Sequence, residues 1–181
     1  MRRSGFKGLV AAGLVATGIA ASTTVVAASD MFLKLGNIKG DATDENHKGE
    51  IALLAWSWGT STGEAHTKNG NKPSKCVQDL QLAKLIDRAS PPLIMLGVNG
   101  AVIPQGTLTV EAGGPNATEI LTLTLTNVSV QSYEIAASDG QGLPAESVVL
   151  RFESLHGEYQ PMSNGKPTGQ TVDFDVSGSC P

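Results

Sequence analysis

A serine between glycines, three histidines and one acidic loop are the residues of this chain that could do chemistry. Gly59-Thr60-Ser61-Thr62-Gly63 matches G-x-S-x-G. In that motif the serine is a nucleophile held on a strained turn between a strand and a helix. Here the match opens a polar run, 59–75 (GTSTGEAHTKNGNKPSK), with no helical pattern behind it, so no catalytic role is expected of Ser61. His47, His66 and His156 lack the spacing of a metal motif such as H-E-x-x-H. Asp41, Asp44, Glu45 and His47 crowd one loop and could touch a cation. They miss the regular oxygen spacing of an EF-hand, and a solvated acidic loop is the expectation. Gly165-Lys166 is not a phosphate loop, because no glycine stands five residues upstream. The chain is therefore expected to carry no catalytic residue, no cofactor and no metal ligand, and not to be an enzyme.

Two further residue sets bear on processing. Cys76 and Cys180 are the only cysteines. In an oxidising compartment they can close one disulfide; in a reducing one they would remain thiols, and sequence leaves both open. Asn116-Ala117-Thr118 and Asn127-Val128-Ser129 match the N-glycosylation acceptor, but the second falls inside an apparent strand and both are read as chance.

The elements that must hold these residues begin after a leader. Arg2, Arg3 and Lys7 precede an apolar run from Gly8 to about Ala21, and Val26-Ala27-Ala28 suits signal peptidase. Residues 1–28 thus read as a secretory signal peptide. Two alternatives are a retained membrane anchor and a true start at Met31. Cleavage would remove three of the 13 basic residues and none of the 17 acidic ones, deepening the net charge from −4 to −7. Such a charge argues against a nucleic-acid partner. The remaining length suits one domain with a real core.

The clearest element is 118–135 (TEILTLTLTNVSVQSYEI). Leu121, Leu123 and Leu125 alternate with Thr122, Thr124 and Thr126, and Val128 and Val130 are expected to carry the same stripe onward. Alternation puts the leucines on one face of a long strand and the hydroxyls on the other. Before it, 31–38 (MFLKLGNI) reads as a first strand and 39–49 as a surface loop. Residues 50–58 (EIALLAWSW) suit a strand buried on both sides or packed against a neighbouring subunit, with Trp56 and Trp58 in the core. By composition 59–75 is a long loop in which nothing suggests packing. Residues 77–87 fit either a strand or a helix face.

Pro91-Pro92 mark a boundary. Ser90 can cap there, giving a short helix over about 91–98 that ends near Gly97 or Gly100. Strands at 102–111, 145–159 and 171–176, separated by turns at 112–117, 136–142 and 163–169, complete the chain. The fold class is mainly β: a small antiparallel β-barrel of two packed sheets with one short flanking α-helix.

In order and spacing these segments resemble the haemolysin-coregulated protein (Hcp) family, the tube subunits of type VI secretion systems. The resemblance rests on Lys34, Gly40-Asp41, Asp44, His47-Lys48-Gly49 and Trp56-Ser57-Trp58-Gly59 near the start. Farther on it rests on DLQLAKLIDRASPPLIMLGVNG, on LTLTLTNVSVQSYEI, and on Pro144, Glu146, Val148 and Leu150 of a P-x-E-x-V-x-L strand. It spans about 31–176, implying an Hcp-like β-barrel domain over 31–181. It also makes 77–85 a strand and puts 59–75 at the family's extended loop or β-hairpin.

The function it implies is structural: homohexameric rings that stack into a type VI secretion tube and carry small effectors. The implied partners are further copies of the chain, type VI components and effectors. No nucleic acid is implied, and the membrane is met only through the uncleaved signal peptide. Family tube subunits carry no Sec signal. The leader, which implies a secreted or periplasmic location, therefore motivates an alternative: a Sec-exported, stand-alone Hcp-like binding module working in the periplasm or outside the cell through 59–75.

Overall fold

The computed structural model describes residues 29–67, 70–113, 117–139, 142–178 and 180. Residues 1–28, read above as a signal peptide, lie outside them, as do Asn116 and residues 68–69. In chain order the elements are β1 (Ser29–Leu35), β2 (Ile51–Ala52), β3 (Ala55–Ser57), β4 (Thr60–Thr67), β5 (Gly70–Val77), β6 (Leu80–Leu85) and α1 (Ser90–Asn99). There follow β7 (Ile103–Ala112), β8 (Thr118–Ala136), β9 (Ala145–Arg151), β10 (Ser154–Tyr159), β11 (Met162–Ser163), β12 (Lys166–Pro167) and β13 (Val172–Ser177).

The long strand β8 organises the rest because it belongs to two sheets. Its first half pairs antiparallel with β7 on one side and β10 on the other, and its second half pairs with β9. One sheet therefore runs β2-β1-β7-β8-β10-β13, and the second runs β8-β9-β6-β3. No strand pair joins β2 to β3, so the barrel is not closed by hydrogen bonds. Its two ends are instead held by the chain itself, since only Leu53 and Leu54 separate β2 from β3. Leu53 N–H donates to Met31 O in one sheet, and Leu54 N–H donates to Ala83 O in the other.

The hydrophobic stripe does not keep one parity through β8. Leu123 and Leu125 are buried at odd positions, and Val128 and Val130 at even ones. Asn127 absorbs the shift by adopting a left-handed conformation, φ 50°. Asparagine tolerates that region better than most L-residues, and the resulting irregularity lets one strand serve two sheets. The partner strand breaks at the same place. The single strand expected over 145–159 is two, β9 and β10, interrupted at Phe152-Glu153. There the Glu153 N–H donates to Thr126 O and its carboxylate accepts from Asn127 Nδ2.

Between the sheets lie Leu33, Leu35, Leu108, Leu123, Leu125 and Leu155 from one and Leu80, Leu82, Val148 and Leu150 from the other, all buried. Burial of such side chains contributes roughly 1.5–3 kcal/mol each. Trp58 stacks on Phe174 with ring centroids 6.5 Å apart and tilts against Phe152 at 6.4 Å. Trp56 also packs on the core cluster, as expected of this pair. Phe174 lies across the strand from Gly157, whose missing Cβ leaves the room its ring occupies.

The helix α1 covers the second half of β8. Pro91 and Pro92 sit in its first turn, and Gly100, left-handed at φ 60°, closes it by donating to Leu96 O at 2.9 Å. Ser90 does not cap it from outside. It is the first helical residue, and its hydroxyl accepts from the Asp87 N–H while Asp87 Oδ1 accepts from the Ala89 N–H.

Residues 59–75 correct the reading from composition: they are not an unstructured loop. The strands β4 and β5 pair antiparallel from Thr60↔Val77 to Thr67↔Gly70 as a hairpin, a two-stranded sheet of its own. A second small hairpin, β11–β12, turns on Asn164 and Gly165, both at positive φ as a type I′ turn requires.

Candidate functional site

The loop between β1 and β2 is fixed by His47. Asp44 first orders the local turn, its Oδ1 accepting from the backbone N–H of Asn46 and of His47. The His47 ring is then buried flat against Phe32, centroids 4.4 Å apart and planes within 9°. Its Nδ1 lies 2.9 Å from Glu50 Oε2 and its Nε2 lies 3.2 Å from Glu111 Oε1 on β7. Burial alone would lower its pKa, but the two carboxylates outweigh burial and hold it above the ordinary histidine value.

A second ionic anchor fixes the start of the helix. Lys84 on β6, 1% exposed, stands directly across from Glu146 on β9. Its ammonium donates to Glu146 Oε2 at 2.6 Å, Asp87 Oδ1 at 2.7 Å, Leu85 O at 2.8 Å and Ser90 Oγ at 3.2 Å. Burial raises the Glu146 carboxyl, and the Lys84 ammonium bonded to it leads the contacts that more than reverse this, leaving it below its ordinary value. Burial, and next the neighbouring Glu146, push the Tyr133 hydroxyl up to about 12.

These anchors hold surfaces that are conspicuously apolar. Ile94, Met95, Val98 and Val102, on and just after α1, are all exposed, Val98 by 75%. Beside them Ile38, Arg88, Pro92, Met95, Leu96 and Ile103 line a groove of about 550 Å³. Leu54, Leu85, Ile86 and Leu143 form a second exposed apolar set. Arg88 lines the first groove, and Asp41, its ion-pair partner at 2.7 Å, lines the second.

At the hairpin base Cys76 is disulfide-bonded to Cys180, 104 residues away, and the Cys180 N–H donates to Val77 O. This resolves the alternatives that sequence left open.

The residues singled out by type scatter over the molecule. Ser61 is the second residue of β4, opposite Cys76, without the strand–helix turn that G-x-S-x-G chemistry requires. His156, partly exposed on β10, pairs with Asp175 at 2.8 Å, a contact that raises its pKa. The side chain of His66 lies outside the described residues. Asp41 and Asp44 stay at the surface while His47 turns inward. Sequence reasoning missed Glu111, Lys84 and Asp87 as partners. A signal was present for Lys84, which continues the buried parity of Leu80 and Leu82. No helix among the described residues is long and apolar enough to cross a membrane.

Among the described residues, two antiparallel sheets sharing one strand, one flanking helix, a separate two-stranded sheet and exposed apolar faces define a mainly β protein with apolar surfaces. Comparison with known proteins gives that class a family. A family model described as "Type VI secretion system effector, Hcp" matches residues 32–159. Protein hcp1 of Pseudomonas aeruginosa is 40% identical over 151 residues, covering 81% of this chain and 93% of that protein. A solved structure of a type six secretion system protein superposes with a TM-score of 0.73 at 26% identity, covering 83% of this chain and 96% of that one. Hcp1 from Salmonella typhimurium gives a TM-score of 0.64 at 30% identity over 83% and 94%. The chain belongs to the Hcp family of type VI secretion proteins.

Proposed function

We propose that this chain is a structural, non-enzymatic tube protein of a type VI secretion system, whose 31–181 domain assembles as homohexameric rings that stack and carry small effectors. The observation that carries the reading is the pair of exposed apolar sets, one on α1 and one around Leu54, Leu85, Ile86 and Leu143. A monomer gains nothing by exposing such patches, and two unlike patches are what a head-to-tail ring contact needs. The polar face of β8 (Thr122, Thr124 and Thr126) suits a hydrated wall, and the hairpin β4–β5 is free of the main sheets to reach a neighbouring ring. Electron microscopy of the purified mature chain tests this. Six-fold rings are expected, and a field of isolated small particles would refute it.

A second reading has its own support. The Cys76–Cys180 disulfide suits an oxidising compartment, as does a signal peptide over 1–28. On this reading the domain is exported by Sec and works alone in the periplasm or outside the cell as a binding module. Fractionation of cells with and without a functional type VI apparatus separates the two. Export that needs only Sec favours the binding module.

A further inference from the structure

The fold assembles a group of ligating side chains that no sequence spacing announced. Glu111 on β7 is flanked in register by Asp30 of β1 on one side and Glu119 of β8 on the other, just past an irregularity at Val110/Glu111. Carboxylates placed side by side across strands repel one another unless a cation lies between them. His47 enters the same place from the β1–β2 loop. A ring nitrogen of His47 and one oxygen each of Glu111 and Glu119 lie within 4.8 Å of one another. Glu111 is 2% exposed, and its Oε2 has no hydrogen-bond partner among the described residues. A buried carboxylate oxygen left this way calls for a donor or an ion.

We propose that His47, Glu111 and Glu119 bind a divalent transition-metal ion, with Glu50 as the outer carboxylate that orients His47. Imidazole nitrogen with carboxylate oxygen is a donor set for Zn²⁺ and its first-row neighbours. Metal-bound histidines characteristically give their second ring N–H to a carboxylate, and Glu50 Oε2 at 2.9 Å from Nδ1 stands ready for it. Nε2 then faces the ion beside Glu111. Around a tetrahedral ion with bonds of about 2 Å, ligand atoms lie roughly 3.3 Å apart. The Nε2–Oε1 separation of 3.2 Å already meets this, and the exposed Glu119 closes the remainder by rotation. Its exposure also supplies the entry path and leaves room for water in the last position. A metal here would tie the β1–β2 loop to β7 and β8.

The test uses the full mature chain, stripped with EDTA and dialysed against Zn²⁺ alone. One zinc per chain and a raised melting temperature are expected. Glu119→Gln, at an exposed position, should keep the circular dichroism of the parent while binding zinc at least about tenfold more weakly and losing the thermal shift. His156→Ala, which removes the separate exposed His156–Asp175 pair, should leave zinc binding unchanged. Absence of zinc uptake by the parent, or equal uptake by Glu119→Gln, overturns the proposal.

Discussion

The ammonium of Lys84 lies 2.6 Å from Glu146 Oε2, joining two directly opposed strand positions that are both shut away from water. A buried ion pair is weak evidence for stability, because desolvating both charges offsets much of their attraction. Its partners matter more, for the same ammonium holds Asp87 and Ser90 and so fixes where α1 begins. Glu146→Leu leaves that ammonium buried with one carboxylate fewer and should cost about 3–5 kcal/mol in denaturant unfolding. The double variant Lys84→Met/Glu146→Leu should cost clearly less than the two single changes added together. Additive costs would mean that the pair is not coupled.

Acid should attack the same pair. The Glu146 carboxyl is held below its ordinary value of 4.5 in the folded chain. A depressed carboxyl contributes stability that is present above the unfolded value and is lost as pH falls through the folded one. The parent should therefore lose stability more steeply below pH 4.5 than Glu146→Gln does, as read from melting temperatures across a pH series. Parallel curves would contradict the assignment.

Asn127 tests the account of the long strand. A β-branched residue at φ 50° is strained, so Asn127→Val should destabilise by about 1–2 kcal/mol, more if the contact to Glu153 also counts. Asn127→Gly should be nearly neutral. If valine is tolerated as well as glycine, the strand does not turn between its sheets at this residue.

The disulfide closes a long stretch of chain, since 104 residues separate Cys76 from Cys180. Cys76→Ser should lower unfolding stability by about 2–5 kcal/mol, and reduction of the parent should reproduce the loss. Equal stability of oxidised parent and variant would show that the bridge contributes nothing.

Much of this fold is legible in residue order. The leucine–threonine alternation of β8, the double proline opening α1 and the glycine closing it are local signals with local causes. The shift at Asn127 was legible only in part. The change from odd leucines to even valines is present in the sequence, but its meaning, a strand leaving one sheet for another, depends on partners far along the chain. The strands β4 and β5 were opaque to composition because their polar sequence carries no apolar alternation, and what joins them is backbone pairing in register. The resemblance to the family offered either a loop or a β-hairpin there, and the structure pairs the two strands.

The ionic sites were the least legible. Lys84 and Glu146 occupy positions that continue buried stripes, a warning that each needs a partner. Nothing local says that Glu111 meets His47, which is 64 residues away. Register between strands, not spacing along the chain, brings those two together.

Light scattering coupled to size-exclusion chromatography decides whether the chain assembles. The mature parent should elute with six times the mass of one chain. Val98→Asp, which puts a charge on the most exposed apolar position of α1, should elute as a monomer with unchanged circular dichroism. A parent that stays strictly monomeric at high concentration is not a ring-forming subunit.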